Sequence, residues 1–384
     1  PGSLWRSAVL MSVEELLEKD ILSDEDIIFL LNLRDKKDCE KLQQAAYKTT
    51  GKYAGNNIYF RGLIEISNIC TADCRYCGIR KSNHALTRYT LERDVILECA
   101  DIAVRNGYGS IAIQAGERRD PQWIAWISEL LEEIHARSVS ELLPHGLGIT
   151  LSLGEQTLET YQRWAEASAN PSGLRYLLRL ETTNPELFSR LHSAKGRHEK
   201  RLENRIEALR NLRLAGYQVG TGVMIGLPGQ SAQDLVRDIR TFKALDADMI
   251  GMGPYLVSQG GNMIREGMLP HDELRQLSLN MIALTRLVLK DVNIAAATAL
   301  ETLTPGGRIE GILYGCNVIM PNITPQKTRS SYQLYDNKAG TEVGEEANRQ
   351  LEKDIRERTG RVLGLHCLGS SQHWQQRTSL AYTT

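Results

Sequence analysis

Short apolar runs rich in β-branched residues alternate along this chain with longer segments in which apolar residues recur every three or four positions. The first run, Ile58–Ile66, lies between Asn56-Asn57 and Ser67-Asn68, a pattern typical of a buried strand. Seven further runs predict strands at Ser110–Gln114, Leu147–Ser152, Tyr176–Leu180, Gln218–Ile225, Met249–Met252, Ile294–Ala299 and Val318–Met320. The amphipathic segments between them predict helices at Thr90–Asn106, Pro121–Arg137, Glu155–Ala169, Glu199–Ala215, Ala232–Leu245 and Asp272–Leu289.

Strands that alternate with helices indicate parallel βα units, and about eight of them suggest an α/β fold, a closed (βα)8 barrel of the TIM type. An open, doubly wound sheet is the alternative, because periodicity alone does not separate the two. We expect an N-terminal helical extension over residues 1–57, the barrel over residues 58–325, and a C-terminal extension over residues 326–384 that packs on the barrel. In the first region, Ser12 begins a helix with a capping-box pattern, Ser23 begins a second, and Asp38–Thr49 predicts a third.

Composition and charge exclude several classes of function. The chain has 384 residues, of which 42% are hydrophobic and 24% charged, and its net charge is −1. The sequence has no cluster of basic residues of the kind that binds nucleic acid. It also has no apolar stretch as long as a membrane helix. Seven cysteines, an odd number with three of them clustered, favour a reducing compartment over a disulfide scaffold. We therefore expect a cytoplasmic protein that binds neither nucleic acid nor a membrane.

Three cysteines follow the first predicted strand in a C-x3-C-x2-C arrangement, at Cys70, Cys74 and Cys77. Cysteine thiolates hold iron–sulfur clusters, and three of them leave one iron of a four-iron cluster without a protein ligand. An open metal position is typical of a catalytic site. A zinc site would draw a fourth ligand from a paired Cys or His spacing, and none follows downstream. The spacing therefore favours an iron–sulfur cluster.

The cysteine motif, with the aromatic Tyr76 before its third cysteine, resembles the signature of the radical S-adenosylmethionine (SAM) superfamily. That resemblance implies one 4Fe-4S cluster and SAM as cofactors, and a barrel with function at the carboxyl ends of its strands. It also implies that SAM-binding residues include Tyr76 and those of the Ala115-Gly116-Glu117 segment, in which Ala115 replaces the first glycine of the family motif.

The same resemblance assigns roles to three charged side chains. Glu117 and a backbone carbonyl accept hydrogen bonds from the SAM ammonium, and Glu181 accepts them from the ribose hydroxyls. Arg205 binds the SAM carboxylate, a role that suits the two-pronged guanidinium.

Residues 12–365 further resemble the HydE-type maturases of FeFe-hydrogenase, in stretches that include Ser67–Arg80, Ile149–Glu155, Arg179–Asn184, Val223–Gly229, Asp248–Tyr255 and Asn317–Pro325. The family implies reductive cleavage of SAM to a 5′-deoxyadenosyl radical. It implies a substrate in which a cysteine-bound iron carries carbonyl and cyanide ligands, made by a partner maturase, and a product that is a precursor of the hydrogenase diiron site. Expected partners are this small organometallic or amino-acid-like substrate, an electron donor and other hydrogenase maturases.

The resemblance also implies a substrate pocket inside the barrel, lined by Gln114, Thr150, Arg179, Thr298, Tyr332 and Tyr335. Among these, Arg179, Thr298 and Tyr332 are the expected catalytic residues, with Arg179 meeting the carboxylate or the anionic iron fragment of the substrate. An internal ion pair between Arg179 and Glu181 is the alternative. For Tyr332 and Tyr335, simple packing is as good an explanation as substrate contact.

Two positions depart from the family pattern. Leu180 stands where the family often has His, and Ala297 precedes Thr298 where a Thr pair is expected. Some relatives carry three additional C-terminal cysteines for an accessory cluster. The segment Tyr335–Ile355 contains no cysteine, which predicts a single cluster.

Two other functions stay open at this point. More distant resemblance to biotin synthase and methylornithine synthase suggests a radical SAM enzyme acting on another small sulfur-containing or amino-acid-like substrate. A non-enzymatic iron–sulfur scaffold would need the cysteines but not Glu117, Glu181 and Arg205. Production of 5′-deoxyadenosine from SAM separates an enzyme from a scaffold.

Overall fold

The computed structural model describes residues 11–192, 200–258, 267–340 and 345–381. Its centre is a parallel β-sheet, with the strands β1 Asn57–Ser67, β2 Ser110–Ala115, β3 Gly148–Ser152, β4 Leu174–Leu177, β5 Gln218–Thr221, β6 Met224–Ile225, β7 Met249–Pro254, β8 Asn293–Ala296, β9 Val318–Ile319 and β10 Val362–Gly364. The order of the main strands is β1-β2-β3-β4-β5-β7-β8-β9. The sheet closes where Tyr59 and Phe60 of β1 pair with Val318 and Ile319 of β9.

Eight of these strands form the closed ring, while β6 pairs with β7 and β10 pairs with β1. The expected (βα)8 barrel is therefore confirmed, and the open doubly wound sheet is excluded, because an open sheet has two free edges and this one joins β9 to β1.

Helices surround the barrel and cover its outer face. They are α1 Val13–Leu17, α2 Asp24–Leu31, α3 Lys36–Thr49, α4 Arg93–Arg105, α5 Pro121–Ser138, α6 Leu158–Ser168, α7 Pro185–Leu191, α8 Leu202–Leu214, α9 Ala232–Ala244, α10 His271–Leu289, α11 Thr298–Leu303, α12 Gly307–Leu313, α13 Gln326–Arg329, α14 Glu345–Thr359 and α15 Gln372–Ala381, with single turns at Thr50–Ala54 and Pro171–Gly173. The capping box at Ser12 is confirmed, and a second one begins α2 at Ser23. The predicted start of α8 at Glu199 lies outside the described residues.

The main core lies between the strands and this helical layer. On β2, Ile111 and Ile113 are buried in the apolar cluster, while the alternate residue Gln114 lines a cavity inside the barrel. This alternation follows from the two-residue period of a strand. It places apolar side chains against the helices and leaves the barrel interior available for polar groups.

Three strands end earlier than their sequence patterns predict. The fourth runs from Leu174 to Leu177 rather than from Tyr176 to Leu180. The run at Gln218–Ile225 is split into β5 and β6 at Gly222, where a Cβ would lie 1.9 Å from the Gly251 carbonyl oxygen. The run at Ile294–Ala299 stops at Ala296 because α11 begins at Thr298. In each case apolar residues continue past the last residue of the strand, so the sequence pattern does not show where the strand ends.

The amino end of the barrel is covered by the segment that follows β10. The carbonyl oxygen of Gly369 accepts hydrogen bonds from Arg61 (3.2 Å) and Asn293 (2.8 Å), and that of Leu368 accepts one from Arg175. Both arginines are fully buried. Backbone carbonyls therefore supply acceptors that a buried guanidinium requires. Strand β10 itself was not predicted from the sequence.

Within the described part of the chain, no helix is long and apolar enough to cross a membrane.

Helix α15 is held to the barrel by His373, which lies 2.6 Å from Asp246 Oδ1 through Nε2 and 3.1 Å from Asp291 Oδ1 through Nδ1. The bond to Asp291 outweighs burial and, together with Asp246, raises the pKa of His373 to about 9. The stabilisation is therefore fully present below the ordinary histidine pKa of about 6.5 and is lost as the pH rises through about 9.

We predict that His373→Gln lowers the free energy of unfolding by on the order of 1 kcal/mol at about pH 6, after allowance for solvent screening, and by much less at about pH 10. Urea unfolding at the two pH values measures this difference. His145→Gln, at an exposed position, is the matched control. An equal loss at both pH values would show that His373 acts by packing and not through its charge.

Candidate active site at the carboxyl end of the barrel

A cavity of about 220 Å³ opens at the carboxyl ends of the strands. Its walls come from the loop after β1, the ends of β2 and β4, helix α8 and the segment after α13. The predicted site residues in its lining are Cys70, Cys74, Tyr76, Cys77, Gln114, Ala115, Gly116, Glu117, Arg179, Glu181, Arg205, Tyr332 and Tyr335.

A larger groove of about 470 Å³ lies outside the barrel and contains none of these residues. Its Lys48, Lys243 and Lys290 stand at the carboxyl ends of α3, α9 and α10. Cations there interact favourably with the helix dipoles, which accounts for the clustered lysines without a ligand. The smaller cavity is therefore the candidate site.

The cysteine loop is shaped by two polar side chains. Asn68 Nδ2 donates to the carbonyls of Ser331 (2.7 Å) and Thr87 (2.8 Å), and Arg88 donates to those of Asn68 (2.6 Å) and Ile79 (2.7 Å). These bonds fold residues 68–80 back over the barrel.

Gly78 allows the segment after α13 to approach this loop. Its N–H donates to the Leu334 carbonyl at 2.9 Å, and a Cβ at Gly78 would lie 2.0 Å from the Gln333 carbonyl oxygen. Any other residue there would push the two segments apart, so Gly78 fixes the distance between the cysteine loop and Tyr332.

The three cysteines carry free thiols that face one cavity. Burial raises the pKa of Cys74 to about 12 and raises those of Cys70 and Cys77. The three cysteines therefore share one cavity, and three thiolates of this kind can hold an iron–sulfur cluster. Within the described residues, no three Cys, His, Asp or Glu side chains converge on a single ion.

The end of β2 is attached directly to this loop. A Cβ at Gly116 would lie 2.3 Å from the Ile69 carbonyl oxygen, so only glycine permits the contact. The N–H of Glu117 points to Cys70 Sγ at 3.3 Å, and the Glu117 carbonyl accepts the N–H of Thr71 at 2.9 Å. The Ala115-Gly116-Glu117 segment and the cysteines thus form one rigid wall of the cavity.

Glu117 belongs to a buried network of five charged side chains. Lys200 Nζ lies 2.7 Å from Glu117 Oε2 and 3.4 Å from Glu155 Oε1, and Arg119 Nη2 lies 3.2 Å from Glu117 and 3.3 Å from Glu155. Arg205 Nε donates to Glu155 Oε1. Burial alone would raise the pKa of Glu155, but Arg205 and Lys200 lower it to about 2. Both carboxylates are therefore balanced by cations in the ligand-free protein.

Sequence reasoning found Glu117 and Arg205 but gave no role to Glu155, Arg119 or Lys200. Glu155 carried a weak signal, since it follows a strand in Gly154-Glu155. Lys200 carried none, because it stands in a run of mixed charges that is typical of a solvated surface.

Arg179 and Glu181 form an ion pair, with Arg179 Nη2 3.0 Å from Glu181 Oε2. Arg179 also donates to the Val223 carbonyl at 2.8 Å, and Tyr76 Oη lies 3.5 Å from Glu181 Oε1. The Glu181 backbone has a φ of +67° and is held by bonds to Gly222 and Met224. The internal pair that the sequence left as an alternative is therefore present in this structure.

Two predicted pocket residues do not line the cavity. Thr150 is buried on β3, beside Ala112 and Arg175 of the neighbouring strands, and its hydroxyl has no hydrogen-bond partner in the described residues. Thr298 begins α11, and its hydroxyl accepts a bond from Arg308 at 3.2 Å. Thr298 is outside the lining because β8 ends at Ala296 and α11 begins at Thr298, whereas Thr150 lies in the middle of β3, two residues before Ser152, which does line the cavity.

The two departures from the family pattern have different surroundings. Leu180 is fully buried in the main apolar core and points away from the cavity. Ala297 precedes α11 and contributes no side-chain cap to it. The Ala297 Cβ would lie 2.9 Å from a Cβ built at Gly253, so Ala297 packs closely against the Gly253 backbone and there is little room for a larger side chain on that side.

A further buried ion pair lies below Tyr332. Lys338 bonds to Glu65 Oε1 and donates to the Tyr332 carbonyl at 3.1 Å, while Asn322 donates to Glu65 Oε2 at 3.0 Å. Glu65 and Lys338 are 273 positions apart in the chain, and the sequence pattern gave no sign of the pair.

A family model described as the radical SAM superfamily matches residues 64–242. Over 324 residues the chain is 40% identical to the FeFe hydrogenase maturase subunit HydE of Thermotoga maritima, covering 84% of this chain and 87% of that protein. The chain belongs to the radical SAM superfamily. It is an enzyme that cleaves SAM, and its cofactors are a 4Fe-4S cluster and SAM. This outcome confirms the resemblance read from the cysteine motif and removes the non-enzymatic scaffold as an interpretation.

Other members of the superfamily are more distant. The chain is 27% identical over 327 residues to the 3-methylornithine synthase of Methanosarcina acetivorans, covering 84% of this chain and 86% of that one. A crystal structure of methylornithine synthase (PylB) superimposes with a TM-score of 0.74 at 22% identity, covering 92% of this chain and 97% of that one. At that identity the match shows a shared radical SAM barrel and nothing about substrate.

We predict that Cys74→Ala abolishes SAM cleavage, because two thiolates cannot hold the cluster that three hold. Iron content, the electron paramagnetic resonance signal of the reduced protein and 5′-deoxyadenosine production measure the effect under anaerobic conditions. Cys367→Ala, at a cysteine outside the cavity, is the control. Parental 5′-deoxyadenosine production by Cys74→Ala would contradict the cluster assignment.

We predict that Arg205→Ala weakens SAM binding more than tenfold, since a charge-assisted contact contributes roughly 1.5–3 kcal/mol. Arg205→Lys keeps the charge but loses the two-pronged geometry, so it is also expected to bind SAM less tightly. Equilibrium dialysis with cluster-loaded protein gives the dissociation constants. Arg213→Lys, on the same helix but outside the cavity, is the control. Unchanged SAM binding by Arg205→Ala would place the SAM carboxylate elsewhere.

Proposed function

We propose that this radical SAM enzyme acts on a cysteine-bound iron carrying carbonyl and cyanide ligands, in assembly of the diiron site of FeFe-hydrogenase. The observation that carries the proposal is the 40% identity to a HydE maturase over most of both chains, compared with 27% to a methylornithine synthase. The mixed polar and apolar cavity beside the three cysteines supports it.

The cluster is held by Cys70, Cys74 and Cys77. When bound, the cluster and SAM together supply a 5′-deoxyadenosyl radical. Tyr76 belongs to the cysteine loop itself, and its Oη lies 3.5 Å from Glu181 Oε1, while Glu181 offers carboxylate oxygens to ribose hydroxyls. These residues come from separate elements, so the closed barrel brings them to one site.

The SAM aminoacyl group is bound by the wall that joins β2 to α8. Glu117 accepts hydrogen bonds from the SAM ammonium, and Arg205 donates hydrogen bonds to the SAM carboxylate. Arg205 is oriented by Glu155 and by the carbonyl of Arg179, both of which accept its N–H groups. Because these partners are buried, the guanidinium is already aimed before the ligand arrives.

The substrate occupies the part of the cavity between Arg179, Gln114 and the two tyrosines, Tyr332 and Tyr335. Arg179 is the cation for its anionic group. Two arginines line this cavity, and Arg179 is the more accessible, with 31% of its side chain exposed compared with 6% for Arg205. A ligand in the cavity can therefore reach the Arg179–Glu181 ion pair. The anionic substrate competes with Glu181 for Arg179 and frees the Glu181 carboxylate for the ribose. One displacement thus prepares both ligand sites.

Apolar residues exclude water from the same space. Leu177, Leu178, Met224 and Leu256 line the cavity among the polar groups. Water exclusion strengthens the electrostatic contacts and protects a reactive radical from side reactions. Tyr332 and Tyr335 come from residues 326–340, so we assign the C-terminal extension a part in closing the site. Thr150 and Thr298 lie outside the cavity and take no direct part in this proposal.

Supply of electrons and substrate requires partners. An electron donor reduces the cluster, and a second maturase delivers the iron–cysteine substrate. The test is activation of a FeFe-hydrogenase that is produced with its other maturases, with and without this chain. Hydrogen evolution only in the presence of the chain is expected. An inactive hydrogenase together with formation of 3-methylornithine would support the more distant relatives instead.

We predict that Arg179→Ala retains SAM binding but loses productive turnover on the iron–cysteine substrate, because the substrate loses its cationic partner. The measurements are the SAM dissociation constant, 5′-deoxyadenosine formed per turnover and hydrogenase activation. Arg179→Lys keeps the charge and is expected to retain part of the activity. Arg137→Ala, at an exposed ion pair with Asp101 on the outer helices, is the control. Full hydrogenase activation by Arg179→Ala would make the Arg179–Glu181 pair purely structural.

A further inference from the structure

The ammonium group of Lys200 lies between the two buried carboxylates of the site. Its Nζ is 2.7 Å from Glu117 Oε2 and 3.4 Å from Glu155 Oε1, and only 6% of its side chain is exposed. Lys200 is also part of the cavity wall. The SAM contacts proposed above give no role to this cation, although it touches the carboxylate assigned to the SAM ammonium.

The Glu117 carboxylate is nearly saturated without any ligand. Its Oε2 accepts the N–H of Glu155 at 2.9 Å and the ammonium of Lys200, and its Oε1 lies 3.2 Å from Arg119 Nη2. A carboxylate offers about four acceptor positions, so three are used and one remains on Oε1, while an ammonium that approaches Oε2 competes with Lys200. Of the two cations, Lys200 lines the cavity and Arg119 does not. A ligand that enters through the cavity therefore meets Lys200 first.

The charges in the network lead to the same conclusion. Glu117 and Glu155 contribute two negative charges, and Lys200, Arg119 and Arg205 contribute three positive ones. The SAM carboxylate arrives with the ammonium and meets Arg205, but a second ammonium directly beside Lys200 at Glu117 adds local repulsion in a poorly solvated space unless one cation withdraws. A lysine suits that withdrawal, because its charge sits on a flexible four-carbon stem, whereas Arg205 is held by two acceptors.

We propose that Lys200 sets the affinity of the enzyme for the aminoacyl group of SAM: it occupies Glu117 in the ligand-free protein and is displaced by the ammonium of the ligand. This inference rests on the assignment of Glu117 to the SAM ammonium. Part of the binding free energy of SAM is thus used to break an internal ion pair. Ligands that lack the amino group leave that pair intact.

The test compares two thioether ligands that differ in the aminoacyl group. S-adenosylhomocysteine carries it, and 5′-methylthioadenosine does not. Dissociation constants for both, and for SAM, are measured by calorimetry on anaerobic, cluster-loaded protein. In Lys200→Met we expect SAM and S-adenosylhomocysteine to bind about tenfold more tightly, the size of one charge-assisted hydrogen bond. Binding of 5′-methylthioadenosine is expected to stay at the parental value.

A second variant and a second readout guard against a general structural effect. Lys200→Arg keeps a cation at Glu117 and is expected to show none of the gain in affinity. The melting temperature of ligand-free Lys200→Met should fall, since Glu117 loses a counter-ion, while the rise in melting temperature on addition of SAM should be larger than in the parent. Unchanged or weaker binding of SAM by Lys200→Met would overturn the proposal, as would an equal gain for 5′-methylthioadenosine.

Glu117→Gln separates this proposal from the assignment on which it rests. If Glu117 binds the SAM ammonium, that variant shows a smaller preference than the parent for S-adenosylhomocysteine over 5′-methylthioadenosine, since only the Arg205 contact to the carboxylate remains. If the preference is unchanged in Glu117→Gln, the Glu117 assignment fails, and the Lys200 proposal fails with it. Failure of hydrogenase activation with the Lys200 effect intact would instead overturn the proposed substrate alone.

Discussion

Two carboxylates buried side by side, Glu117 and Glu155, impose the geometry of this site. Neither can lie in the barrel uncompensated, because an unpaired charge in a poorly solvated interior is strongly unfavourable. Their cations come from the loop after β2, from the residues before α8 and from α8 itself. Compensation of two charges thus brings the ends of β2 and β3 and the start of α8 to one place. The backbone of Glu117 extends the same constraint to Cys70 and Thr71.

Buried charges are compensated by different groups at the two ends of the barrel. At the amino end, Arg61 and Arg175 donate to carbonyls of the C-terminal segment, which are neutral acceptors already in place. At the carboxyl end, Arg179, Arg205 and Lys200 are paired with the carboxylates of Glu181, Glu155 and Glu117. The first arrangement closes one end of the barrel. The second places charged pairs at the face where TIM-type barrels bind their ligands.

The relatives of this chain share its barrel fold but carry the names of different enzymes. A methylornithine synthase shares the barrel almost from end to end at 22% identity, and a HydE maturase is 40% identical over 324 aligned residues. Because one barrel serves several substrates, the difference must lie in the side chains around the cavity and in the segments that cover it. We propose that in this protein those groups are Arg179 and the tyrosines after α13, together with the Lys338–Glu65 pair that bonds to the segment carrying Tyr332. Leu180, although it departs from the family pattern, packs in the core and so changes the pocket at most indirectly.

The sequence alone determined the features that depend on local patterns. Strand and helix order follow from periodicity, the capping box at Ser12 from residues three positions apart, and the cysteine loop from a run of eight residues. The tertiary structure decided every feature that depends on distance through space. Glu117 and Lys200 are 83 positions apart in the chain, and Glu65 and Lys338 are 273 apart, so no local sequence pattern predicts either ion pair. The ends of strands were likewise not determined locally, since apolar residues such as Leu180 continue past β4 into the core between sheet and helices. A shift of a few residues at such an end decides whether a side chain such as Thr298 faces the cavity or begins a helix, and only the closed barrel sets that shift.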